Sequence, residues 1–209
     1  MADEFVTGLV LAAGGSKRLG RPKQLLPFGA GTLLDHVLGV ARECAFDQSL
    51  CVIGAGGRDL RERVDLRGFE VVDNPAFGEG CSSSIAVALG AIDPRARVLV
   101  LMLGDRPGVS AASVAALIAG RGDAELAACR YDDGRGHPFA FARSVFGELA
   151  SLHGDRGVWK LMDRAGDGVA DVPVSGPIPP DVDTWADYEA ALAAAGPAVG
   201  RSAPPGVAR

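Results

Sequence analysis

The run Val98–Leu103 (VLVLML) is apolar at every position. A β-strand sends alternate side chains to opposite faces, so a strand with no polar position must be covered on both sides. This places it at the centre of a sheet with helices above and below. Other short β-rich runs occur at Gly8–Ala12 (GLVLA), Leu50–Ile53 (LCVI), Phe69–Val72 (FEVV) and Leu126–Cys129 (LAAC). Stretches of helical period lie between them. In the first, Leu34, Val37, Leu38, Ala41 and Cys44 share a face; in later ones Ile85, Leu89 and Ile92, then Val114, Leu117 and Ile118 after Ser110, do the same. Strand and helix alternating over short connections predict an α/β fold whose parallel sheet is wound through right-handed crossovers.

The pattern changes after about Arg130. Tyr131–Gly136 (YDDGRG) reads as a turn-rich loop, followed by a strand His137–Phe141 and helices near Ala142–Ser151 and Val158–Arg164. A brief strand around Val169–Val172, a proline-spaced loop and a last helix from about Thr184 to Ala195 complete the ordered chain. Residues 1–195 are expected to form one domain, with a second-half region appended after about residue 130; the Ala/Pro/Gly-rich stretch 196–209 is expected to be a disordered tail.

Of the 209 residues, 48 % are hydrophobic and 22 % charged, a composition that can fill a core and rules out wholesale disorder. The net charge of −5 leaves no broad basic face for a nucleic-acid backbone. The longest apolar runs are strand-sized, well under the roughly 20 residues of a membrane span. The start, Met1-Ala2-Asp3-Glu4, is acidic where a signal peptide is basic, so a soluble cytoplasmic protein is expected, without nucleic-acid or membrane partners. Cysteines at 44, 51, 81 and 129 include no CxxC pair and read as buried reduced thiols; histidines at 36, 137 and 153 are too scattered for a zinc site.

The chemistry concentrates at strand ends. Leu9–Leu26 (LVLAAGGSKRLGRPKQLL) runs from an apolar strand into Gly14-Gly15-Ser16, where small residues let backbone N–H groups approach an anion; Arg18 and Lys23 add fixed positive charge. Neither GxxxxGK[ST] nor GxGxxG is present, so this is neither a P-loop nor a dinucleotide fingerprint. An ordinary βα turn with a solvated basic cluster is the simpler alternative. Asp105, in Leu103-Gly104-Asp105-Arg106-Pro107, stands at the end of the most hydrophobic strand and could hold Mg²⁺ against phosphate oxygens, or merely open a turn before Pro107. In Asp181-Val182-Asp183-Thr184, Asp183 or Thr184 caps the last helix with Asp187 in a capping box, and Asp183 could face Asp105 as a second metal ligand. In Gly80-Cys81-Ser82-Ser83-Ser84 three hydroxyls begin a helix; capping uses one and leaves two for a base or phosphate. Gly136-His137-Pro138 aims a histidine either into a pocket or into the core. Gly54-Ala55-Gly56-Gly57 lacks the third glycine of a dinucleotide site and reads as a turn.

Taken together, LAAGGSKRLGRPK, GDRP, RGHP and DVDTWADY resemble the MobA-like nucleotidyltransferases, and within them the MocA-type molybdenum cofactor cytidylyltransferases; the matching blocks run in order over about residues 8–190. The resemblance implies a Rossmann-like three-layer α/β/α sandwich with a mostly parallel sheet. It implies that Leu11, Ala12, Ala13, Gly14, Gly15, Ser16, Arg18 and Lys23 bind the nucleotide, with Gly80, Ser82, Ser83 and Asp105 completing that site. It implies Arg18, Lys23 and Asp105 as catalytic residues, Asp105 and Asp183 as Mg²⁺ ligands, and Arg106, Pro107, Gly136, His137 and Pro138 on the acceptor side. Leu11-Ala12-Ala13-Gly14 with Ser16 resembles the CTP branch rather than the guanylyl one. Arg106, where Gln or Met is usual, and Trp185, where Pro is usual, depart from the pattern, and Arg106 bears on the acceptor.

The implied reaction moves CMP from CTP to the terminal phosphate of a molybdenum-bearing pterin and releases pyrophosphate, with a molybdoenzyme or its maturation chaperone as a further partner. Two other readings compete. One is a nucleotidyltransferase for a sugar or polyol phosphate, since Pro22-Lys23-Gln24 is similar to the methylerythritol-phosphate cytidylyltransferases. The other is a reassigned MobA-like oxidoreductase or cofactor-binding protein. Fold alone does not separate them.

Overall fold

The computed structural model describes residues 4–16, 18–54 and 56–196; the expected tail beyond Gly196 lies outside them. The chain runs β1 (Val6–Ala12), a two-strand hairpin β2 (Pro27–Phe28) and β3 (Gly31–Thr32), α1 (Leu33–Glu43), β4 (Gln48–Ile53), α2 (Gly57–Arg63) and β5 (Glu70–Asp73). It continues α3 (Cys81–Leu89), β6 (Val98–Leu103), α4 (Ala111–Gly120), β7 (Leu126–Tyr131), β8 (Gly134–Ala142), α5 (Phe146–Ala150), α6 (Gly157–Ala165), β9 (Val169–Pro173) and α7 (Trp185–Ala195).

The sheet has 7 strands in the order β5-β4-β1-β6-β8-β7-β9. All run the same way except β8, which is antiparallel to both β6 and β7. The segment expected to be a loop at residues 131–136 is instead the tight end of the β7–β8 hairpin, with only Asp132 and Asp133 outside the strands. Such a short connection joins neighbours only in opposite directions, which is why the parallel pattern breaks there.

Each residue of β6 falls where the all-apolar run requires. Val98, Val100 and Met102 enter a core under α1 and α4, with Leu34, Val37, Leu38, Val114 and Leu117. Leu99 and Leu101 enter the opposite core with Ile85, Ala88, Leu161 and Met162. Burying one such side chain contributes about 1.5–3 kcal/mol, so the paired cores hold the sheet rigid between helix layers. α1 starts with a capping box in which Thr32 and Asp35 each accept the other's backbone N–H.

A third, smaller cluster matters more for function. Leu19, Leu26, Phe28 and Leu33 pack with Val182 and Ala191 of the C-terminal segment. Val182 is fully buried and its N–H donates to the Asp105 carbonyl at 2.9 Å. Segments far apart in sequence, each bearing charged side chains, are thereby fixed side by side at one end of the sheet.

Candidate active site

The carboxyl ends of β1 and β6 open into a cleft of about 880 Å³, the usual ligand position in such a sheet. One wall is the turn after β1. Gln24 is buried, and its amide donates to the carbonyls of Ala12 and Gly14, both at 2.9 Å. Ser16 adopts a left-handed φ of 49° and its hydroxyl accepts the Lys23 N–H at 2.9 Å. Among the described residues no hydrogen bond engages the N–H of Gly14 or Gly15. The turn is thus folded back on residues 22–25 and keeps free donors for an anion.

Lys23 is the hub. Its side chain is 10 % exposed, and its ammonium pairs with Asp105 Oδ2 and, at 2.7 Å, with Asp183 Oδ1. Arg18 Nη2 meets the other Asp183 oxygen at 2.5 Å. Burial works against the charge on Lys23, but Asp105 and Asp183 outweigh it and raise its pKa. Burial lifts the Asp105 carboxyl above its ordinary range against the pull of Lys23. Asp183 is more open; burial would lift its carboxyl too, but Lys23 and Arg18 hold it below the usual range. Thr184 caps α7 in a capping box with Asp187, which frees the Asp183 carboxylate to face the cleft.

Asp105 Oδ1 is buried without a hydrogen-bond partner among the described residues, an acceptor suited to a cation or water. Mg²⁺ takes one or two carboxylates and completes its shell with phosphate oxygens and water. Asp105 and Asp183 fit that donor set. No cluster of three or more His, Cys, Asp or Glu occurs among the described residues, so the nucleotide would have to bring the remaining ligands.

Of the residues expected at the site, Leu11, Ala13, Gly14, Gly15, Ser16, Arg18, Lys23, Gly80, Asp105, Arg106, His137 and Asp183 line this cleft. Ala12 contributes its carbonyl to Gln24 and buries its methyl. Pro107, Gly136 and Pro138 are not on the cleft wall; Pro107 offers its carbonyl to His36 at 3.1 Å, and Gly136 packs against Ile178 and Tyr131.

Ser82 and Ser83 correct the expectation of free hydroxyls. Ser82 donates to the Gly154 carbonyl at 2.7 Å, and Ser83 lies within hydrogen-bonding distance of the Ala76 and Gly80 carbonyls, so neither is left for a ligand. Neither do the serines cap α3 by side chain: the helix follows Gly80, and Asp155 accepts the Cys81 N–H at 3.1 Å. Gly80 has φ 104°, and an added Cβ would lie 2.7 Å from the Gly154 backbone, so only glycine brings these two loops together. Gln24, Phe77, Asp155, Arg156, Trp159 and Asp181 were not marked by residue pattern. Phe77 is an exposed ring wedged against Gly54 beside the glycine turn.

His137 is buried beside Phe139, with Trp159 edge-on at 6.2 Å. Burial and the nearby Arg106 charge push its pKa down from 6.5 to about 3. The folded protein therefore binds fewer protons here than the unfolded chain as pH falls below 6.5. Stability should drop by about 2 kcal/mol between pH 6.5 and pH 5 from this group. Urea denaturation at pH 7 and pH 5 checks it: the midpoint falls on acidification, and by less in His137→Phe. Equal falls would remove His137 as the cause.

A glycine turn, two cations and two carboxylates converge at the end of a doubly covered sheet, an arrangement suited to nucleotidyl transfer. Residues 8–169 match the MobA-like NTP transferase domain, and the chain belongs to that family. Nicotine blue oxidoreductase of Paenarthrobacter nicotinovorans is 30 % identical over 161 residues, 73 % of this chain and 78 % of that one. The molybdenum cofactor cytidylyltransferase of Escherichia coli strain K12 is 31 % identical over 85 residues, 40 % of this chain and 44 % of its own. Among solved structures, a homologue of Mycobacterium tuberculosis Rv0371c from Mycobacterium sp. strain JC1 superposes with a TM-score of 0.84 at 50 % identity, over 90 % of this chain and 96 % of that one. Rv0371c itself, from strain H37Rv and in complex with manganese, gives 0.79 at 45 %, over 90 % and 98 %. No helix among the described residues is long and apolar enough to cross a membrane.

Proposed function

We propose that this protein transfers CMP from CTP to the phosphate of a molybdenum-bearing pterin, releasing pyrophosphate, with a divalent cation, Mg²⁺, held by Asp105 and Asp183. The observation that carries this reading is Lys23, which leaves the nucleotide-binding turn and meets both acids at one point. The resemblance of Leu11-Ala12-Ala13-Gly14 to the CTP branch favours CTP; the similarity to a molybdenum cofactor cytidylyltransferase supports the acceptor, and the manganese complex of Rv0371c supports a divalent metal. On this reading residues 1–195 act as one cytoplasmic domain that passes its product to a molybdoenzyme or its chaperone.

An acceptor phosphate oxygen attacks the α-phosphorus of CTP, and the bond to the β-phosphate bridging oxygen breaks. No protein nucleophile takes part. Burial and the Asp105 and Asp155 charges push the Cys81 thiol up to about 11, so it stays protonated. The protein holds two anions in line and balances charge. The Gly14 and Gly15 N–H groups cradle the triphosphate, while Arg18 and Lys23 take the charge that gathers on pyrophosphate. Positioning of this kind can supply about 7–11 kcal/mol of barrier reduction. A bound divalent cation adds Lewis-acid stabilisation of phosphate oxygens.

A second reading, a reductase, is favoured by the 30 % identity to nicotine blue oxidoreductase. Calorimetry with CTP, GTP, ATP, NADPH and FMN, each with Mg²⁺, separates the two. The cytidylyltransferase reading expects CTP to bind at least about tenfold more tightly than the rest, a difference of about 1.4 kcal/mol. Preference for NADPH or FMN, with no CTP binding, overturns it.

A further inference from the structure

Arg106 differs from every other cation in the cleft. Its side chain is 9 % exposed, and its Nε donates to Asp181 Oδ1 at 2.6 Å. Its Nη1 is buried and has no hydrogen-bond partner among the described residues. A buried guanidinium normally fills its donor sites, because an unpaired donor bears the full desolvation cost. Arg106 lines the same cleft, near enough to His137 for its charge to act on that ring. Arg18 and Lys23 are already committed to Asp183 and Asp105. Arg156, also on the cleft wall, is exposed, whereas Arg106 is held by one carboxylate and keeps a buried donor unspent.

We infer that Arg106, oriented by Asp181, forms an oxyanion subsite separate from the triphosphate cradle, which grips a phosphate-type group on the acceptor. The inference rests on the nucleotidyl-transfer reading for its link to an acceptor; the anion site stands on the Arg106 geometry alone. Asp181 fixes the plane of the guanidinium through Nε, leaving the Nη edge for a two-point contact with a tetrahedral oxyanion. The neutral His137 beside it adds no competing charge, and its ring with Trp159 gives the bound group an apolar wall. Lysine could supply the charge there but not the forked contact.

The probe is inorganic phosphate, titrated by calorimetry into protein saturated with Mg²⁺ and the α,β-methylene analogue of CTP, which fills the triphosphate cradle without reacting. Arg106→Gln should weaken phosphate binding about tenfold to a hundredfold, the range for a lost charged hydrogen bond, while the affinity for the CTP analogue stays within about twofold. Arg106→Lys should recover part of that loss. Because Arg106 carries an unpaired buried donor, Arg106→Met should melt no lower than wild type without ligand, whereas a structural arginine would lower the melting temperature. Equal phosphate affinity in wild type and Arg106→Gln, or a clear fall in melting temperature in both Arg106→Gln and Arg106→Met, would overturn the subsite. If the CTP analogue does not bind but phosphate binding still depends on Arg106, the nucleotidyl-transfer reading fails and the anion site stands.

Discussion

Lys23→Ala should lower metal-dependent pyrophosphate release by on the order of a hundredfold to a thousandfold, the scale seen when one preorganised charge-stabilising group is removed. It should also destabilise the fold. Asp183 keeps Arg18, but that pair is open to solvent and worth little. Asp105 loses its partner inside the protein, and stranding one member of a buried pair costs about 3–5 kcal/mol. The loss should depend on pH in a definite direction. Without Lys23 the Asp105 pKa, already raised by burial, rises further. The folded variant then holds a proton that the unfolded chain has released, so its stability declines as pH rises through that pKa and recovers at lower pH. Urea denaturation of wild type and variant at pH 5 and pH 8 reads this as a difference that widens at pH 8. A difference independent of pH would mean that Lys23 does not compensate Asp105.

Asp105→Ala should abolish turnover and leave the fold intact, the opposite division of effects. The Asp105 link to Val182 runs through its backbone carbonyl and survives truncation of the side chain. Lys23 retains Asp183 at 2.7 Å, so no cation is stranded. The carboxylate with a spare buried oxygen is what disappears. A fall in pyrophosphate release of at least about a thousandfold is expected, with a circular-dichroism melting curve close to wild type. A variant that stays active and magnesium-dependent would remove Asp105 from the metal site.

Much of this frame is legible in one sequence because the signals are local. Val98–Leu103 shows its double burial in every residue, and the glycines after β1 mark the turn that ends the strand. Asp105 and Asp183 stand out because one follows a strand and the other precedes a capped helix. What escaped has weak or distant signals. β2 and β3 are two residues each, too short for any period. α2 buries only Leu60 and follows Gly56 without a side-chain cap, so the glycines at its start read as a turn. The antiparallel course of β8 depends on which strands become neighbours, which no local pattern states. Ser82 and Ser83 looked free because their acceptors lie on a loop more than seventy residues away or are backbone carbonyls of their own turn. Gln24 and the Arg106–Asp181 pair were likewise hidden, since a polar residue declares its partner only once the chain is folded.

On the proposed function the glycine turn, Lys23 and the two aspartates serve one metal-bound nucleotide. The most direct measurement is a crystal structure with CTP and Mn²⁺, the ion located by its anomalous scattering. An anomalous peak is expected in contact with the Asp105 and Asp183 carboxylates and with phosphate oxygens that also meet the Gly14–Ser16 turn. A nucleotide bound elsewhere, or a manganese ion that touches neither aspartate, would contradict it.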